Sequence, residues 1–296
     1  MNYAAIDFGS NALRLAIAPP PETAGSLPQV IHFERLVHDL GRDVFRDGAG
    51  SLATIDQLCA IFAHLRQILH THGVVPENVI ARGTSALRDA RNRDQIIAAI
   101  QSASGIQLRL LAGGEEARLT GWAIQASLPA IADMLALDIG GGSTEFVEIR
   151  DRTVCQSFSM NVGSTRLLQA ADPAALLDEA TVPVPAMPAH AVVAATGGSA
   201  AALLGVADQL GLCRADERRM SLDAARAVLA ALQPLSPDER IARYGVEASR
   251  RETIVPAAEI LIRVAERAGI TAIEIPRVGL VYGLLLEIMQ STRNLD

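Results

Sequence analysis

Residues 136–145 read Ala-Leu-Asp138-Ile-Gly140-Gly141-Gly142-Ser143-Thr-Glu145: an apolar run ending in aspartate, three glycines, a serine, and the start of a second apolar run from Thr144 to Ile149. Residues 5–11 carry a shorter version, Ala-Ile-Asp7-Phe-Gly9-Ser10-Asn11, leading into a second run from Ala12 to Ala18 that contains Arg14. Each reads as a hairpin around a polar turn. The two aspartates stand 138 − 7 = 131 residues apart. A strand–Asp–x–Gly–Ser–strand unit that occurs twice at this distance indicates an internal duplication. The expected organisation is two related α/β domains, residues 1–124 and 125–296, each presenting one glycine turn.

Working outward, a strand is expected near Gln29 to Val37 and a helix from about Thr54 to Thr71, followed by a strand over Val79 to Arg82 and a helix after Asn92. A strand over Gln107 to Leu111 and a helix from Glu115 to Ala126 complete the first half. In the second half, Gly163–Ala170, Ala200–Leu210, Leu222–Leu232, Pro237–Tyr244 and Ser249–Ala268 read as helices. Val192–Ala195 and Ala272–Ile275 read as strands, and an apolar helix around Leu280–Gln290 closes the chain.

Composition narrows the classes. The 296 residues are half hydrophobic with only 3% aromatic, so the cores must rest on Ala, Leu, Ile and Val. All 26 basic residues are arginine and the net charge is −7, which argues against a general nucleic-acid binder. The longest apolar stretch, Val278 to Met289, contains Glu287 and falls short of the ~20 residues of a membrane helix. No secretion signal is read at the N-terminus, and three distant cysteines give neither a disulfide framework nor zinc spacing. A soluble cytoplasmic protein is expected, with no nucleic-acid or membrane partner.

The chemistry-bearing residues cluster around the turns. Consecutive glycines let the backbone approach a ligand and aim N–H groups at an anion. Asp138 repels phosphate, so its natural role is to hold Mg²⁺ or a metal-bound water, and the hairpin brings Glu145 back beside it. Ser10 and Asn11 can donate to phosphate, and Arg14 adds a charged fork. In Gly113-Gly-Glu115-Glu116-Ala-Arg118, the acids either satisfy a helix start or supply a base that deprotonates water. In Thr84-Ser85-Ala-Leu-Arg88, Thr84 is a candidate N-cap while Ser85 and Arg88 can touch phosphate. Trp122 reads as packing, His70 and His72 as a solvated helix end, and His38-Asp39 lacks the further ligands of a histidine–aspartate metal site.

Asp-x-Gly-Ser-Asn-x-x-Arg-Leu, Thr-Ser-Ala-x-Arg, Gly-x-Glu-Glu-Ala-Arg and Asp-Ile-Gly-Gly-Gly-Ser-Thr-Glu occur in that order, and together they resemble the exopolyphosphatase/guanosine-pentaphosphate phosphohydrolase (Ppx/GppA) family of the actin-like ATPase superfamily. Asn161-Val-Gly-Ser-Thr-Arg166-Leu, Ala194-Ala-Thr-Gly197-Gly198-Ser199 and Arg250-Arg-Glu-Thr-Ile254 match more loosely. The resemblance implies two ribonuclease-H-like, actin-like ATPase domains flanking an active-site cleft. It implies Glu116 as general base and Arg88 as a charge-absorbing catalytic group, with Asp138, Glu145 and Asp7 serving Mg²⁺ (or Mn²⁺). Ser10, Asn11, Arg14, Ser85, Gly141, Gly142 and Ser143 fall where relatives hold phosphate, and Gly197 and Gly198 at the nucleoside-binding turn of the superfamily. Family habit implies a homodimer, with which the apolar C-terminal helix would be compatible.

Two departures stand out. Where relatives show Gly-x-Arg-Glu-Gly, this sequence has Gly279-Leu-Val281-Tyr282-Gly283. The sequence also ends where longer relatives begin a helical, HD-like C-terminal domain, so short-chain substrates are expected. The implied activity is a phosphoanhydride hydrolase on the terminal phosphate of inorganic polyphosphate. Guanosine pentaphosphate 5′-phosphohydrolase stays open within the same class, and a non-hydrolytic nucleotide-binding sensor outside it. A sugar or acetate kinase would need an acceptor pocket that the sequence does not support.

Overall fold

The computed structural model describes residues 1–293 other than residues 22, 24 and 25. It divides into two compact units, Met1–Ala126 with Gly279–Asp296, and Ser127–Val278.

The first unit opens with β1 (Tyr3–Phe8), β2 (Ala12–Ala18) and β3 (His32–Val37), followed by α1 (Leu40–Asp47) and α2 (Leu52–Thr71). It continues with β4 (Val79–Gly83), α3 (Ser85–Asp89), α4 (Arg93–Ser104), β5 (Leu108–Leu110) and α5 (Gly113–Ser127). Every residue of β1 is buried, because helices cover both faces of the central strand. The sheet order is β3-β2-β1-β4-β5, with β1 antiparallel to β2 and parallel to β4. Antiparallel pairing needs only a tight turn, and the Gly9 N–H closes it on the Ala12 carbonyl at 3.2 Å. One core layer joins β1 and β2 to α2 and α4 through Phe8, Phe62, Leu58 and Ile96. The Ser51 hydroxyl starts α2 by accepting the Thr54 N–H at 3.2 Å.

The second unit repeats the opening: β6 (Met134–Ile139), β7 (Thr144–Arg150) and β8 (Thr153–Met160) form an antiparallel meander, followed by α6 (Ser164–Leu168) and α7 (Pro173–Ala180). Then come β9 (Val192–Thr196), α8 (Gly198–Gln209), β10 (Arg219–Ser221), α9 (Leu222–Leu232), α10 (Pro237–Tyr244), α11 (Ile254–Ala268) and β11 (Ala272–Glu274). The sheet order is β10-β11-β9-β6-β7-β8, so β6 has an antiparallel neighbour on one side and parallel β9 on the other, as β1 does. The core is mainly aliphatic, with Leu137, Val193, Leu203, Leu261 and Ile273 in one cluster with the ring of Phe146.

The final helix, α12 (Leu280–Arg293), returns to the first unit. This corrects the assignment of all of residues 125–296 to the second domain. Leu280, Val281, Leu284, Leu285, Ile288 and Met289 pack with Tyr3, Ala5, Ala16 and Leu119, so the apolar face of α12 is core and supplies no argument for a second copy of the chain. Val281 is fully buried and burial pushes the Tyr282 hydroxyl up; these positions, where relatives carry Arg and Glu, serve packing here.

Candidate active site

The candidate residues fall into two sets, one in each unit. In the first, Asp7 lies opposite Arg14 in the β1–β2 register, and Arg14 Nη1 donates to Asp7 Oδ2 at 3.0 Å. Asp7 is 5% exposed; burial pushes its carboxyl up, against the Arg14 guanidinium, which favours the ionised form. One oxygen of Asp7 and one donor of Arg14 are thus engaged with one another.

Parallel pairing of Phe8 with Gly83 delivers the start of α3 to the turn after β1. Thr84 occupies the N-cap position but caps nothing with its side chain; its N–H and hydroxyl both donate to the Phe8 carbonyl, at 3.1 and 3.4 Å. Ser85 Oγ and Ser10 Oγ share a 2.9 Å hydrogen bond, and both are buried. One turn on, Arg88 Nη1 donates to the Leu111 carbonyl at 2.6 Å and to Glu116 Oε2 at 2.8 Å. Glu116 sits in the first turn of α5 and is 7% exposed, so its carboxylate is oriented by a charged partner in a dry setting. The structure therefore links Ser10, Ser85, Arg88 and Glu116. It directs part of Arg88 to Glu116 and Leu111, where the sequence had assigned it to phosphate.

His38 lies against this set. Its backbone N–H donates to the Asn11 carbonyl at 3.2 Å, its Nδ1 accepts the Leu40 N–H at 3.3 Å, and its ring meets Phe8 edge-on at 4.9 Å. Burial, reinforced by Arg14, lowers its pKa to about 3, so its ring is neutral and packs against Phe8.

In the second unit Asp138 and Glu145 are directly opposite in the β6–β7 register, which puts both side chains on one face of the sheet. Glu145 Oε1 accepts from Ser143 Oγ at 2.7 Å and Ser159 Oγ at 2.8 Å. Thr196 at the end of β9 is the parallel neighbour of Asp138, and Gly197 follows with φ +93°. A Cβ on Gly197 would lie 2.9 Å from Asp138 Oδ1, so the carboxylate rests against a backbone without a side chain. The triple-glycine turn closes through the Gly140 N–H on the Ser143 carbonyl at 3.0 Å.

Asp138 and Glu145 are hard oxygen donors on one face, and Mg²⁺ needs only one or two carboxylates because it retains water. These residues fit such an ion. Among the described residues no group of three or more His, Cys, Asp or Glu is placed to hold a metal, so an all-protein cage is not built here. Sequence reasoning missed Ser159, because β8 was not anticipated; its polar positions carry no strong strand signal. Beside Gly198, a cavity of about 330 Å³ is lined by Ala201, Gly205, Tyr244, Glu247 and Arg250, with Arg250 paired to Glu247.

Two mixed sheets, each opened by an Asp-ended strand and a polar hairpin turn, define an α/β protein of the actin-like ATPase type, and solved structures agree. An exopolyphosphatase from Cytophaga hutchinsonii superposes with a TM-score of 0.86, covering 98% of both chains at 24% identity. A Ppx/GppA family member from Aquifex aeolicus gives 0.79 at 19% identity, covering 100% of this chain and 99% of that one. The model of the Ppx/GppA phosphatase family matches residues 21–292, and the chain belongs to that family. Among curated proteins, exopolyphosphatase 1 of Mycobacterium tuberculosis is 25% identical over 98% of this chain and 89% of its own length. The bifunctional 3-dehydroquinate synthase/phosphatase of Fusobacterium nucleatum is 28% identical over 56% of this chain; the match spans only 26% of that larger protein. Membership supports a hydrolase of the exopolyphosphatase family, and no described helix is long and apolar enough to cross a membrane.

Proposed function

We propose that this protein is an exopolyphosphatase that releases orthophosphate from the end of inorganic polyphosphate. The observation that carries the reading is the Gly140–Ser143 turn beside the in-register pair Asp138 and Glu145, an anion cradle adjoining two carboxylates. Glu116 takes a proton from the attacking water as the water oxygen bonds to the terminal phosphorus. The bridging P–O bond breaks, and the shortened chain leaves with the electron pair. Arg88 holds the Glu116 carboxylate in the orientation this requires. The N–H groups of Gly141, Gly142 and Ser143 donate to phosphoryl oxygens. Asp138 and Glu145 would hold Mg²⁺, which supplies positive charge to those oxygens when bound.

The cavity beside Gly198 favours a second reading, guanosine pentaphosphate 5′-phosphohydrolase, since it offers space for a nucleoside next to a glycine turn. The discriminating experiment measures phosphate release from tripolyphosphate, long-chain polyphosphate and guanosine pentaphosphate, each with and without Mg²⁺. Release from the inorganic chains supports the first reading, and comparing them gives the preferred length. Release from the nucleotide alone promotes the second. Silence on all three with tight nucleotide binding leaves a sensor and removes the enzyme.

A further inference from the structure

A turn of three glycines has no side chains to lock it, so its shape must be imposed from outside. The start of α6 does this. The Ser164 N–H donates to the Gly140 carbonyl at 2.9 Å, and the Thr165 and Arg166 N–H groups donate to the Gly141 carbonyl at 2.8 and 2.9 Å. Arg166 Nε then donates to the Gly142 carbonyl at 2.7 Å. All three glycine carbonyls thus have donors on the α6 side. In a trans peptide the C=O and the following N–H point in opposite directions. The N–H groups of Gly141, Gly142 and Ser143 are therefore aimed away from α6. Gly163 makes the close approach feasible: a Cβ there would lie 2.5 Å from the Gly141 carbonyl carbon and oxygen.

We propose that Arg166 is a positioning residue for the reaction, holding the Gly142–Ser143 peptide so that the Ser143 N–H is fixed toward the substrate phosphate. The first unit has the same device built from backbone alone. There the Gly41 N–H donates to the Ser10 carbonyl at 2.8 Å, and a Cβ on Gly41 would fall 2.8 Å from that oxygen. The duplication thus extends past the hairpins to the helix start that follows each third strand. In the second unit one peptide depends on a side chain, which makes it separately testable. The proposal rests on the reading of the Gly140–Ser143 turn as a phosphate cradle.

The test compares the full chain with Arg166→Lys and Arg166→Ala. The readouts are kcat and KM for tripolyphosphate, and hydrogen exchange of the amides at residues 140–143 without substrate. Arg166→Ala is expected to lower kcat/KM about tenfold or more, mostly through KM, and to speed exchange at the turn selectively. Arg166→Lys, which keeps a positively charged donor group but loses the planar fork, is expected between the two. Unchanged KM with unchanged exchange overturns the proposal, and so does faster exchange spread over the whole second unit, the mark of a merely structural residue. Should Arg166→Ala fail to fold, Arg166→Lys decides by the same criteria. If the unaltered chain releases no phosphate from tripolyphosphate, the hydrolase reading fails. Positioning is then judged on exchange alone: acceleration confined to the turn supports it, and none refutes it.

Discussion

Arg88 and Glu116 form a largely buried ion pair, Nη1 to Oε2 at 2.8 Å, between helices α3 and α5. A carboxylate so held is fixed in direction, as a general base must be. Glu116→Gln keeps the shape and removes the base. The expected result is a fall in kcat of about 10²–10⁴-fold with KM within about threefold. Near-normal kcat would remove Glu116 from the base role. Arg88→Met removes the group that orients the carboxylate, so kcat should fall by about 10²-fold with KM little changed. An unchanged kcat would show that the pair does not position the base.

Gly197 is the position where a methyl group would act directly on Asp138. The backbone lies at φ +93° and ψ 168°, a region that is nearly exclusive to glycine, and Asp138 Oδ1 is 2.9 Å from the absent Cβ. Gly197→Ala should cost about 1–3 kcal/mol of stability. It should also raise the Mg²⁺ concentration giving half-maximal phosphate release by about tenfold, because the carboxylate is displaced. Asp138→Ala should raise it further. An unchanged metal titration in both variants would take Asp138 out of the metal role.

The duplicated hairpins were legible because strand, aspartate and glycine turn are local signals that tertiary context does not override. Their corollary, that Asp138 and Glu145 share a face, follows from the register of a tight antiparallel turn. What stayed hidden was non-local. Arg14 and Asp7 each suit a phosphate site or a metal site alone, and only the β1–β2 register shows that they pair with one another. Helix α1 was missed because Gly41 and Asp43 are poor helix formers, held in place by contacts with the Ser10 carbonyl and with Ser51 and Thr54. The return of α12 to the first unit has no local signature, since an apolar helix face does not say which core it enters.

That return predicts a stability effect. Leu284 is fully buried between α12 and the sheet of the first unit. Leu284→Ala should destabilise the protein by about 2–5 kcal/mol, read as a lower urea midpoint. Loss below about 0.5 kcal/mol would mean that α12 is not a structural member of that core.

His38 gives a pH signature of the turn in the first unit. Its folded pKa is lowered from 6.5 to about 3, first by burial and then by the Arg14 and Arg35 guanidiniums, while the Gly9 backbone opposes them. The unfolded chain therefore binds a proton between these values that the folded chain refuses, and stability falls as pH drops below 6.5. The slope approaches about 1.4 kcal/mol per pH unit and ends near the folded value. Asp7 works in the other direction, since its raised pKa makes the folded state the better proton acceptor just above pH 3.8. The His38 effect is isolated by comparison with His38→Asn, whose Oδ1 can accept the Leu40 N–H in place of Nδ1 but does not titrate. Between pH 7 and pH 5 the stability of the unaltered protein should fall by about 2 kcal/mol more than that of the variant in urea unfolding. A difference that does not vary with pH would mean that His38 takes up its proton as readily in the folded chain as in the unfolded one, and that the Phe8–His38 packing behind the Ser10–Asn11 turn is wetter than its geometry indicates.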